Sequence, residues 1–233
     1  MLRNTGRSVV FNLNMSKRFR AILLGVVAAP LVLAAPAQAL ITEIGNVTTL
    51  PAPSCPGVNC TAITRTTGIQ TEVAGVRRPY ASPVSGRVVA FTLKLGAPTK
   101  TEQTFFNTRA GGAPEAQVAV FRGNHPSKTL LQTIAVSPVF QLAPWFGQTV
   151  EFPLINSLPI RKGDDIALTV PTWAPALAVN QATTTAWRAS RHKCTTASVF
   201  LQTSQQIAGA LARFGCSFTT AQLTFTATVI STP

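Results

Sequence analysis

In QLTFTATV, residues 222–229, Leu223, Phe225, Ala227 and Val229 alternate with Thr224, Thr226 and Thr228. Side chains two apart share a face only in an extended strand. The spacing therefore specifies a sheet with one face on a core and one in water, and it excludes a helix there. RVVAFTLKL, 87–95, repeats the pattern, with Val89, Phe91, Leu93 and Leu95 on one face and Thr92 and Lys94 on the other. Further short runs follow at 116–123, 129–136, 148–154, 165–170 and 197–203, with weaker candidates near Ile63, Ile69 and Trp187. Gly- and Pro-bearing segments such as RAGGAP, APWFG and RKGDD separate them. No helical pattern alternates with the strands. The expected fold is all-β, an antiparallel β-sandwich of jelly-roll or Greek-key type. One helix candidate, 204–214, places Ile207, Leu211 and Phe214 at helical spacing, but Gly209 weakens it and a loop is the alternative.

Residues 1–39 read as an export signal. Arg3, Arg7, Lys17, Arg18 and Arg20 precede the apolar run AILLGVVAAPLVLAA, and AQA at 37–39 offers small residues for cleavage before Leu40. A signal starting at Met15 would keep the same apolar run. That run is shorter than the ~20 residues a membrane-spanning helix needs, and it contains Pro30. The expected organisation is a signal peptide over 1–39, a polar Pro-bearing leader over 40–61 and a β-sandwich domain over 62–233, with no transmembrane segment after cleavage. The leader either adds an edge strand or stays mobile. It carries sequons at Asn46 and Asn59, although the signal has a bacterial character.

Four cysteines lie beyond the signal. An even count in an exported chain implies two disulfides, and the preferred pairing is Cys55 with Cys60 and Cys194 with Cys216. Zinc is disfavoured because the cysteine spacing is wrong and no histidine pair accompanies it.

The net charge is +13, and cleavage would remove five of the 20 basic residues and none of the seven acids, leaving +8. Such a chain favours anionic surfaces, for example an anionic envelope polymer or glycan. The basic residues are scattered, with Arg77-Arg78, Arg161-Lys162 and Arg191 to Lys193 as the short clusters, and no aromatic ladder accompanies them. This is no nucleic-acid signature.

Asp164 and Asp165, in LPIRKGDDIALTV, are the sole adjacent carboxylates. Gly163 suits a tight turn and Asp164 a turn hydrogen bond, while Asp165 opens a strand and is expected to face outward with Ala167 and Thr169. Neighbouring strand residues point to opposite faces, so the two are not expected to converge on one ion. This stretch, following VEFPL and lying downstream of VSGRVVAFTL, resembles uncharacterised secreted bacterial β-sandwich proteins. The resemblance runs from about Pro79 to Val170 and includes the final strand. It implies a fold and an exported location, and it supplies no catalytic residues.

No GxSxG elbow, HExxH, phosphate loop or dinucleotide fingerprint occurs, so no catalytic residues, metal ligands or cofactor are assigned. His125 and His192 sit in turn-like polar settings. Glu151, beside Phe152, is the acid best placed for a glycan hydrolase, although an outward strand position is the simpler account. Trp145, Trp173 and Trp187 fall in turns or near strand ends. They are candidate ligand-binding residues that could stack on a sugar, or else plugs at the ends of a core. The expected function is that of an exported, non-catalytic protein of the envelope or extracellular space, binding a ligand or glycan or acting in adhesion. An extracellular glycan-directed hydrolase and a structural subunit are the alternatives.

Overall fold

The computed structural model describes residues 38–45, 48–57, 60–123, 129–191, 194–195, 200 and 204–232. Residues 1–37 of the expected signal peptide, together with Asn46, Asn59, His125, His192 and all of 197–203 except Phe200, lie outside the described residues.

The described chain is all-β with antiparallel pairing throughout. The first strands are β1 (Ile41–Ile44), β2 (Ile63–Val73), β3 (Val76–Arg77) and β4 (Gly86–Lys94), followed by helix α1 (Lys100–Ala110). Next come β5 (Glu115–Arg122), β6 (Leu130–Val136), β7 (Phe140–Gln141), β8 (Thr149–Ile160), β9 (Asp165–Ala174) and β10 (Leu177–Ala178). The chain closes with β11 (Ala186–Ala189), β12 (Leu211–Arg213), β13 (Cys216–Thr219), β14 (Gln222–Leu223) and β15 (Phe225–Ser231). One sheet has the order β1-β15-β4-β8; a larger curled one runs β12-β6-β5-β9-β2-β11-β13, with β3 on β2 and β7 on β5. Strands β10 and β14 form a separate pair.

The leader contributes β1 as an edge strand, with Ile41 opposite Ile230 and Ile44 opposite Ala227. In β15, Phe225, Ala227 and Val229 point into the main core, where they join Phe91, Leu93 and Val88 of β4 and Val118, Val120, Ile166, Leu168 and Val170 of the larger sheet. The alternation in β4 carries one correction. A bulge lies between Val88 and Ala90, so Val88 is fully buried and Val89 is the extra residue. Strand β8, on the outer edge of its sheet, accommodates Pro153 and Pro159, which a central strand could not.

The larger sheet buries both faces of β9. On the second face Ala119, Phe121, Leu131 and Ala167 meet Ile69, Ala212 and Phe214. Residues 204–214 cover this face, and they do so without the expected helix. The chain turns at Gly209 and forms β12, with Ala212 and Phe214 buried at a spacing of two while Ile207 and Leu211 are exposed. The extended pairing of β12 with β6 overrides the helical spacing.

The helix lies instead at Lys100–Ala110. A capping box starts it: Thr99 Oγ1 accepts from Glu102 N, and the Glu102 carboxylate accepts from Thr99 N. Gly111, at φ 92°, ends it in the left-handed conformation that glycine adopts without strain. Phe106 on its inner side stacks on Trp173.

Candidate functional site

The turn between β8 and β9 is the pivot of the site. Asp164 N donates to Arg161 O at 3.0 Å, Gly163 sits at φ 88°, and the Asp164 carboxylate accepts from Arg161 N at 2.8 Å. The same carboxylate accepts from Arg122 Nε at 2.8 Å and Nη2 at 2.7 Å, a two-pronged pair with Asp164 buried. Asp165 is also buried, which corrects the outward orientation expected for it. Ala167 and Thr169 on the same side are buried too, because 204–214 roof that face. Arg78 Nη2 lies 3.2 and 3.1 Å from the two Asp165 oxygens and donates to Gly163 O at 2.8 Å. Burial pushes the Asp165 carboxyl above its ordinary range, the Arg78 charge and hydrogen bond pull it back, and nearby Asp164 adds to the rise. The two aspartates thus hold two separate arginines and do not converge on one point.

This pairing has an electrostatic consequence. Lys162 N donates to Ser85 Oγ at 3.1 Å, and Gly86 pairs with Ile160, so Arg87 at the start of β4 stands beside the turn. Arg77, Arg78, Arg87, Arg161 and Lys162 are all exposed there. Asp164 and Asp165 lie beneath their arginines, and Glu72, in register with Arg77, flanks the group on one side. Arg87, Arg161 and Lys162 form no ion pair among the described residues. Clusters that look scattered in the sequence, 77–78 and 161–162, meet at one end of the fold.

Beside this end, Ile69, Leu131, Phe214, Arg78, Arg188 and Asp165 line a small pocket of about 140 Å³. Arg188 Nη1 donates to Phe214 O at 3.3 Å. Arg191, from the third basic cluster, is instead buried. One of its guanidinium nitrogens, Nη2, donates to Thr64 O at 2.9 Å, and burial lowers its pKa.

The three tryptophans do not share a face. Trp173 is 0% exposed; its Nε1 donates to Asn107 Oδ1 at 2.8 Å and to Gly112 O at 3.1 Å. Trp187 is 4% exposed and stacks on Phe218. Trp145 alone reaches the surface, at 39%, edge-on to Phe152. Both disulfides form in the preferred pairing, Cys55–Cys60 and Cys194–Cys216.

Glu151 is an outward residue of β8 and shares the threonine-lined outer face with Thr92, Thr226 and Glu43. Glu43 and Glu151 stand on opposite edge strands, three strand spacings apart. At ~4.8 Å per spacing the backbones are about 14 Å apart. Among the described residues no group of three or more His, Cys, Asp or Glu is placed to hold a metal, and no helix is long and apolar enough to cross a membrane.

The sequence reading missed Arg78, Arg87, Arg122 and Arg188 as parts of one region. The adjacent cations at 77–78 and 161–162 were the available signal, but their proximity depends on pairings across more than 70 residues. The chain matches no protein-family model, no curated protein and no solved structure.

Proposed function

We propose that this chain is an exported β-sandwich of jelly-roll or Greek-key type that works at the cell envelope or outside the cell as a non-catalytic binding protein. Its partner class is an anionic polymer bearing acidic sugars. One observation carries the reading: Asp164 and Asp165 are buried beneath Arg122 and Arg78, which leaves Arg87, Arg161 and Lys162 as a rim with no carboxylate partner among the described residues. Exposed cations grouped within a Debye length, ~8 Å at physiological salt, attract a polyanion more strongly than the same charges dispersed. Two disulfides suit an oxidising compartment.

The test is retention on immobilised polygalacturonate compared with neutral dextran, at low and high salt, for the wild type and for R87Q/R161Q/K162Q. Retention of the wild type on the acidic polymer alone, lost at high salt and at least about tenfold weaker in the triple variant, supports the reading. No retention at low salt, or equal retention of the triple variant, overturns it.

A further inference from the structure

We infer that the pocket between Arg78, Arg188 and Phe214 is a binding site for the carboxylate of a single acidic sugar unit, with Arg188 as its anchor. This deepens the polymer reading and rests on it for the class of ligand.

Arg188 projects from β11 between Trp187 and Ala189, both buried, so its backbone is held firmly. Its Nη1 is engaged at Phe214 O, and no carboxylate lies within ion-pair distance of it among the described residues. The remaining guanidinium N–H groups offer the planar fork that grips a carboxylate with two parallel hydrogen bonds. Arg78, across the pocket, is already committed to Asp165 and Gly163.

Arg78 is paired with Asp165, so the positive charge left without a carboxylate partner in the pocket, among the described residues, is that of Arg188. That balances a carboxylate better than a phosphate monoester, which carries about −1.5 to −2. Ile69, Leu131 and Phe214 supply an apolar wall for the C–H face of a sugar ring. At about 140 Å³ the space is well below the ~300 Å³ of a drug-sized site, so it admits one unit of a chain and not several.

The experiment is amide-resolved NMR titration of the full chain with galacturonate and with galactose, which differ at the carboxylate, repeated on Arg188→Gln and Arg188→Lys. Galacturonate is expected to shift the amides of Ile69, Thr71, Arg188 and Phe214. Galactose is expected to bind at least about tenfold more weakly, Arg188→Gln to lose at least about tenfold in affinity for galacturonate, and Arg188→Lys to recover part of it. Equal binding of the two sugars, wild-type shifts confined to other residues, or unchanged affinity in a folded Arg188→Gln overturns the inference. The wild-type shift map decides the matter even if the variants fail to fold. R87Q/R161Q/K162Q keeps the pocket, so loss of polymer retention with intact galacturonate binding separates failure of the rim reading from failure of this one.

Discussion

Arg122 and Asp164, 42 residues apart, meet through two hydrogen bonds of 2.8 and 2.7 Å, and Asp164 Oδ2 also accepts from Arg161 N. The pair ties the end of β5 to the turn that enters β9 and so fixes the place from which Arg161 and Lys162 project. Asp164 is nearly inaccessible while Arg122 is a quarter exposed, so the two partners are not equivalent.

Removing the buried partner leaves a guanidinium with no counter-charge and a turn amide unpaired. Asp164→Ala is expected to lower unfolding free energy by about 3 kcal/mol in urea denaturation, and Arg122→Gln by at least as much because it leaves the buried Asp164 carboxylate without its counter-charge. A loss under about 0.5 kcal/mol for Asp164→Ala would place the pair with exposed salt bridges.

Asp165 yields a pH dependence. Burial raises its pKa, so the folded chain holds the proton more tightly than the unfolded one. Its contribution is therefore fully present below the ordinary aspartate pKa of about 4 and is lost as pH rises from there through the raised folded value. Urea midpoints measured across that window are expected to fall for the wild type relative to Asp165→Asn. A relative rise would contradict the burial account.

The two disulfides close loops of different length, with separations of 22 and 5 residues. On the chain-entropy account, C194A/C216A should cost about 3 kcal/mol and C55A/C60A about 2 kcal/mol. Thermal unfolding of the two double variants checks the order, and the reverse order would count against loop entropy as the source.

The tryptophans differ in access to solvent. Acrylamide is expected to quench a single fluorescence component readily, and Trp145→Phe to abolish that component while the signal of Trp173 and Trp187 remains shielded. Two or three readily quenched components would show that Trp173 or Trp187 is exposed.

Much of the sheet was legible because alternation is a local property. The residues of β4, β5, β6, β8, β9 and β15 announce their own strands, and the RKGDD turn announces its glycine at positive φ. Helix α1 was legible in principle from the Thr99–Glu102 capping box, but its face is too polar to show a helical stripe. The segment 204–214 misled because the helical spacing of Ile207, Leu211 and Phe214 does not reveal that Ala212 and Phe214 lie two apart against a sheet.

By itself the sequence determined which residues share a face and where the chain must turn, since backbone geometry alone links residues one to four apart to one side or another. Tertiary structure decided what covers each face. It roofed Asp165, Ala167 and Thr169, placed Trp173 beneath α1, and gathered Arg78, Arg87, Arg161 and Lys162 at one end. Those outcomes depend on strand pairings between distant segments, and the periodicity of any one segment carries no information about its partner.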